Sequence, residues 1–248
     1  MKKDLIAIGV IIIVAVSAIA AFVVFTRQLI PDQWGFQFER EVTATTPDRI
    51  LFRVNAEDTD LSISFVDNTD RLYSIDVTPY ENSTEAHIGF DMQDDSWMIM
   101  FTTGQQESVD IILGNGCFYY VQILGSSYLN TTIVYSNNSW VNGTAFSYTP
   151  SSSSGFEGHL TLKIQDDIVT DGTTGFEGQI TCTTLNLEID VPDQWGGVVN
   201  FYDSNVTFIE LTGWFEWFGR YMTDNSDDDV ALIDLEVHVE EVLARLVI

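Results

Sequence analysis

Beyond its first three residues the chain contains a single lysine, Lys163. Positive charge is scarce throughout: 10 Lys and Arg stand against 37 Asp and Glu, a formal net charge of −27. So acidic a body repels phosphate backbones and anionic headgroups, which excludes nucleic acid as a partner and favours cations or basic surfaces. Cysteine is rarer still. Cys117 and Cys182 are the only two, too far apart for a CxxC redox or zinc motif. Outside the cell they could close one long loop as a disulfide; two buried free thiols are the alternative. His87, His159 and His238 are scattered singly, and HVEE around His238 is not HExxH, so a zinc site is not expected. The chain has no GxSxG elbow, no phosphate-cradling glycine loop and no local Cys–His signature. These absences point away from an enzyme. They leave open a carboxylate pair for glycoside cleavage, which would meet only on folding.

The most prominent feature present is a run without charge from Leu5 to Phe25, LIAIGVIIIVAVSAIAAFVVF. As a helix it would span about 31 Å, close to a hydrocarbon core of about 30 Å. Lys2 and Lys3 precede it, so the positive-inside bias places the N-terminus in the cytoplasm and the rest outside. A signal peptide cleaved near Ala18-Ile19-Ala20 and a pilin-type leader are the rivals. The expected organisation is a cytoplasmic tip and transmembrane anchor over residues 1–29 and an extracellular all-β domain over 30–248, at the plasma membrane. TPSSSSG (149–155) is the best point at which that domain could divide into halves.

Asn82, Asn130, Asn137, Asn142 and Asn205 each begin an Asn-x-Ser/Thr sequon. Five is an excess for this composition, and glycosylation of these residues is the expectation. Sequons on an acidic, lysine-poor chain fit an archaeal cell surface. Asp224, Ser226 and Asp228, in DNSDDD, alternate as oxygen ligands for Ca²⁺ would. The glycine and distal glutamate of an EF-hand are missing, so a solvated turn competes with that reading.

Strand signals recur along the whole chain after the anchor, and helical periodicity does not. Leu61, Ile63 and Phe65 alternate with serines; after the turn DNTD (67–70), Tyr73, Ile75 and Val77 alternate again, which predicts a β-hairpin. SVDIILGNGCFYYVQILG predicts a strand on each side of Gly114-Asn115-Gly116. Near the end, Ile233, Leu235, Val237 and Val239 form one face, and Asp234, Glu236, His238 and Glu240 the other. GFEG occurs at 155 and again at 175, each copy opening a strand. A repeat of that length matches one coil of a β-solenoid, with Phe156 over Phe176 inside and Glu157 over Glu177 outside. Two similar hairpins in a β-sandwich would give the same pattern.

The anchor, the NAEDTDLSISFVDNTDRLYSIDV segment and the coils GFEGHLTLKI and GFEGQITCTTLNLEIDV together resemble the adhesin type of membrane-anchored β-solenoid surface proteins. That resemblance implies stacked short strands and no catalytic residues. The strands here are longer and more aromatic than that type implies, which keeps a sandwich in play.

GWFEWFGRY gathers Trp214, Phe215, Trp217, Phe218 and Tyr221. Read as one strand it has aromatic residues on both faces, which predicts burial on both sides. The alternative is an exposed platform for sugars or a partner protein, with Trp214, Trp217 and Tyr221 as its contacts. The functional expectation is non-catalytic: adhesion or envelope scaffolding, with cell-envelope proteins or glycans as partners and no cofactor other than Ca²⁺. A carbohydrate-binding or carbohydrate-active domain using the aromatic strand is the alternative.

Overall fold

The computed structural model describes residues 32–66, 68–93, 96–125, 129–135, 144–148, 157–164, 175–191, 196–224 and 232–248. The chain divides between Asp32 and Gln33, and the described strands belong to the unit Gln33–Ile248. The apolar run at 5–25 lies outside the described residues, as does the segment 149–155. Among the described residues no helix is long and apolar enough to cross a membrane.

The fold is all β. In chain order the strands are β1 (Gln33–Gly35), β2 (Gln37–Glu41), β3 (Arg49–Glu57), β4 (Thr59–Phe65), β5 (Arg71–Thr78) and β6 (Ala86–Gln93). Next come β7 (Ser96–Gln105), β8 (Ser108–Leu113), β9 (Phe118–Gly125), β10 (Leu129–Tyr135), β11 (Thr144–Tyr148) and β12 (Glu157–Ile164). The last six are β13 (Gly175–Asp190), β14 (Gly196–Phe201), β15 (Asn205–Thr212), β16 (Trp214–Trp217), β17 (Arg220–Thr223) and β18 (Leu232–Val247).

Their pairings trace two ladders. The first runs β2-β5-β8-β4-β10-β12-β13-β18-β15 and uses the C-terminal halves of β13 and β18. The second runs β1-β6-β7-β3-β9-β11-β13-β18-β14-β17-β16 and uses their N-terminal halves. The chain repeatedly crosses from the second ladder to the first: β3 to β4, β7 to β8, β9 to β10, β11 to β12, along β13, along β18, and β14 to β15. These passes, each termed a coil for its crossing between ladders, pair with one another in parallel. Two of the crossings turn at aspartates in the left-handed region, Asp58 (φ 41°) and Asp203 (φ 53°). Short polar side chains tolerate that conformation better than branched ones do. The acidic NAEDTD segment is thus a coil corner: Gln105 donates to Asp58 Oδ2 at 2.7 Å, and Thr59 Oγ1 donates to the Glu57 carbonyl at 2.7 Å.

Stacking order is not chain order. The coils lie β7/β8, β3/β4, β9/β10, β11/β12, β13, β18, β14/β15. The first coil made and the last are therefore each inserted one place in from an end and hydrogen-bonded on both sides. This arrangement corrects the predicted hairpin. β4 forms with the expected alternation and β5 buries Tyr73, Ile75 and Val77 together with Leu72 and Ser74, but β8 lies between the two strands, parallel to β4 and antiparallel to β5. Period-2 patterning selects the face of a strand and says nothing about its neighbour.

The GFEG repeat is corrected as well. Glu157 pairs with Thr184 in the first ladder, whereas Glu177 pairs with Ala145 and Asp234 in the second. Glu157 and Glu177 therefore lie on opposite ladders and do not stack, and Phe156 lies outside the described residues. Coil partners such as Tyr120 and Ala145, or Gly158 and Leu185, lie farther apart in sequence than the two copies do.

Both ladders turn their apolar faces to one core. Ile50, Phe52, Val54 and Ala56 of β3 alternate inward, as do Leu61, Ile63 and Phe65 of β4. Ring contacts bridge the ladders: Phe52 to Tyr73, Phe38 to Phe101, Phe65 to Tyr119 and Phe201 to Phe208, with centroids 6.1–6.4 Å apart. Such pairs add about 1 kcal/mol each beyond the area they bury. Along one column of the second ladder, Ile99, Phe52 and Val121 are register partners with at most 1% exposure. Ile233, Leu235, Val237 and Val239 face inward as the alternation predicts. Gly114 and Gly116 flank a turn held against the 68–71 segment. A Cβ on Gly114 would lie 2.0 Å from the Arg71 carbonyl oxygen, so only glycine permits that approach.

The β1/β2 end of the stack is guarded by charge. β2 reads QFERE, and Arg40 sets its guanidinium 4.7 Å from the Phe90 ring centroid and 5.3 Å from that of Trp97. Charged residues on an edge strand discourage further strand addition. Replacing Arg40 with methionine keeps the stem and removes the cation. The expected result is a loss of about 1 kcal/mol in urea unfolding, the scale of a half-buried cation–π contact. An unchanged midpoint would show that the stem alone carries the contact.

Candidate functional site

The opposite end of the stack is built differently. There β15 and β16 each pair on one side, and no further strand among the described residues pairs with their other edges. The segment read from sequence as one strand is two. Phe218 (φ 48°) and Gly219 (φ 80°) form a two-residue turn with both φ positive, as in the type I′ hairpins that suit the twist of antiparallel strands. Gly219 satisfies its position without strain, whereas a bulky Phe there is an outlier.

This turn corrects the expectation of burial on both faces. Trp214 is 5% exposed and lies over Gly197, whose missing side chain makes room for the indole: a Cβ there would sit 2.4 Å from the ring. Tyr221 packs on Phe208 and Phe201, with centroids 4.6 and 5.6 Å away, and closes the end of the core. Burial raises its hydroxyl above the ordinary range, with the nearby Glu216 carboxylate adding to the shift. Trp217 (51% exposed) and Phe218 (89%) instead stand at the hairpin tip, ring against ring at 5.3 Å. Phe215 on β16 and Ile209 and Leu211 on β15 are also exposed. Ile209 falls at the register shift between Phe208 and Glu210. On an otherwise acidic body, this end concentrates large apolar side chains beside unpaired strand edges. Of the three predicted contact residues, only Trp217 is exposed, and then by about half.

A second feature was missed in the sequence. The outer face of the first ladder holds a groove of about 400 Å³ between β12, β13, β18 and β15. Parallel registry brings its residues together. His159, Asn186, Leu243 and Thr207 form one outward row, and Thr184, Glu241 and Asn205 the next. The Asn186 amide donates to His159 Nε2 at 2.9 Å. Nothing in the linear sequence links His159 to Leu243; only knowledge of the stacking order could have done so.

The remaining predicted residues are dispersed. Asn82 (φ 74°) is exposed in a turn, and Asn205 opens β15, also exposed. Asn130 is in β10, in register with His159. Asn137 and Asn142 lie outside the described residues. Asp224 is exposed at the end of β17, and Ser226 and Asp228 lie outside the described residues. Among the described residues, no group of three or more His, Cys, Asp or Glu side chains is arranged to hold a metal.

Cys117 and Cys182 are both free thiols. β11 separates β9 from β13, and Cys117 precedes β9 whereas Cys182 pairs with Val239 well along β13. Bridged cysteines need Cα atoms within about 7 Å, and two strand spacings alone exceed that. Burial pushes the Cys117 thiol up to about 11, with the Asp48 carboxylate adding to the shift, and burial pushes Cys182 to about 12. Both therefore stay protonated and unreactive near neutral pH.

No protein-family model matches this chain, and no curated protein matches it. Among solved structures the chain is similar to a "putative cell adhesion protein" from Clostridium sporogenes. The two share 10% sequence identity at a TM-score of 0.49, over 87% of this chain and 99% of that one.

Proposed function

We propose that the chain is a non-catalytic adhesion or envelope-scaffold protein. Its stacked coils form a β-solenoid body, held at the outer face of the plasma membrane by a helix over 5–25, and it makes contact through the β15–β17 end. The observation that carries this reading is the exposed Trp217–Phe218 ring pair, with Phe215 on the same hairpin and Ile209 on β15 also exposed, at one end of a stack whose other end is charged. Monomeric surfaces rarely leave such a cluster uncovered, and Trp is among the residues most enriched at energetic centres of interfaces. Cross-strand hydrogen bonding makes the body stiff, and its outward rows are polar and acidic, which suits a spacer in water. Non-catalysis agrees with a chain that carries no catalytic sequence motif. The carbohydrate alternative draws support from the exposure of Trp217, but its intended partner Trp214 lies under the surface.

The test uses the full chain in vesicles. Retention on envelope preparations from the source cells is compared between the wild type and a Trp217→Ser/Phe218→Ser variant. The double change is expected to lower retention at least tenfold, on the order of the 2 kcal/mol that defines an interface hot spot, without shifting the urea midpoint. Equal retention by the folded variant, or hydrolysis of a sugar polymer by the wild type, would overturn the reading.

A further inference from the structure

The groove on the first ladder shares β15 with the contact end, but the aromatic hairpin does not line it and its chemistry is its own. Asn205 and Thr207, the acceptor and the hydroxyl of one sequon, both line it. Residues i and i+2 of a strand share a face, so both side chains point outward while Val206 packs against the core. We propose that this groove is a carbohydrate site whose occupant is the N-linked sugar on Asn205. The inference rests on the glycosylated surface location expected from the sequence, and not on the aromatic contact end.

Three observations carry it. The first is position. A sugar joined to the Asn205 amide begins inside the groove, beside its register partner Glu241 and one strand from Thr184. The second is the lining. His159 and Asn186 form a hydrogen-bonded pair, and planar groups that both donate and accept match the vicinal hydroxyls of a pyranose. Leu243, 37% exposed, sits between Asn186 and Thr207 and offers an apolar spot to the C–H face of a sugar ring. Among the described residues, Glu241 is the only carboxylate in the lining. It accepts hydrogen bonds from hydroxyl or acetamido groups and repels uronic and sialic acids, so the occupant is a neutral or N-acetylated sugar.

The third is tethering. A shallow polar groove holds a free sugar weakly, because water competes for every hydrogen bond. A covalent link raises the local concentration to the order of millimolar, at which weak contacts suffice. The seated sugar would cover the outer face of β15, whose far edge no described strand pairs, and would shield it from strand addition.

The experiment starts from the full chain purified from the cells that make it. Mass spectrometry of the Asn205 peptide reads its occupancy, and an endoglycosidase time course reads how fast the sugar is released. In the folded wild type, release at Asn205 is expected to be at least tenfold slower than from the isolated glycopeptide. Asn186→Ala and, separately, Glu241→Gln should bring the folded rate to within about threefold of the peptide's; two variants guard against one failing to fold. An unmodified Asn205 would overturn the proposal. So would a modified Asn205 released equally fast from folded protein and peptide, a result that leaves glycosylation itself standing. The retention assay on the aromatic end reports on the adhesion reading independently of either outcome.

Discussion

Replacing Phe52 with alanine is expected to lower the free energy of unfolding by about 3–5 kcal/mol, the usual range for removing a buried aromatic ring. Phe52 has no exposure, lies between Ile99 and Val121 in its ladder, and faces Tyr73 across the core at 6.1 Å. Its neighbours are strands hydrogen-bonded on both sides and cannot collapse freely into the void, which argues for the upper part of the range. In a stack stabilised by nearest-neighbour interfaces, the damage should spread along the coils that depend on β3. The β3/β4 coil contacts β7/β8 on one side and β9/β10 on the other, so loss of its packing loosens the charged cap from the body. Urea unfolding followed by circular dichroism measures the change. Phe218→Ala is the matched control. It removes the same ring from solvent and should stay within about 0.5 kcal/mol. A Phe52→Ala cost below 1 kcal/mol would mean that the core is not packed as described.

The second large effect is alkaline unfolding. Burial pushes the Tyr73 hydroxyl up to about 12, partly offset by the Arg40 guanidinium beside it. Tyr119 is raised further, first by burial and then by the Cys117 thiol, and it donates to the Leu72 carbonyl at 2.6 Å. Cys117 and Cys182 are raised as well, to about 11 and about 12. All four are acids whose folded pKa lies above the unfolded one. Below about pH 8 they are protonated in both states and their contribution to stability is complete. As pH rises from about 9 to 12, the unfolded chain releases these protons first. It then binds fewer protons than the folded state, and stability falls with pH. Tyr73 alone, raised from 10 to about 12, would remove about 2 kcal/mol by pH 12. Stability is therefore expected to be flat from pH 7 to 8, to decline by about 1 kcal/mol towards pH 9 as the two thiols ionise in the unfolded chain, and to fall steeply above 10. The share of tyrosinate absorbance that is missing from Tyr73→Phe and Tyr119→Phe variants should appear together with the loss of structure rather than before it, since Tyr80, Tyr120 and Tyr202 are exposed in the folded chain. Tyr119→Phe should flatten the curve, at the cost of about 1 kcal/mol at neutral pH for the lost hydrogen bond. Ionisation of that Tyr73 and Tyr119 share a full pH unit before unfolding would contradict their buried positions.

The aromatic segment shows why part of the contact end could be read in advance and part could not. The abundance of aromatic residues in GWFEWFGRY marked it as unusual. Whether they were buried depended on one backbone choice, the turn at Phe218-Gly219. Phenylalanine is a poor residue for a positive φ, so local propensity argued for a continuous strand. The structure accepts that strain and turns the chain back along β16, which places Trp217 and Phe218 at a tip. Trp214 went the other way because Gly197, distant in sequence, leaves space for its ring.

What the sequence by itself determined is local. Alternation of period two set the inward residues of β3, β4, β5 and β18, because apolar side chains on one face of a strand must leave water together. The imbalance of acids over bases set the character of the outer surface, since charge cannot be buried unpaired. What only the tertiary structure decided is which strand lies beside which. β8 enters between β4 and β5, β18 between β13 and β15, and the two GFEG copies fall on opposite ladders. Parallel strands of similar apolar pattern present nearly interchangeable edges to one another, so their order is settled by the packing of the whole core. The groove at Asn205 exists through that order alone: its walls come from four strands that share no signal along the chain.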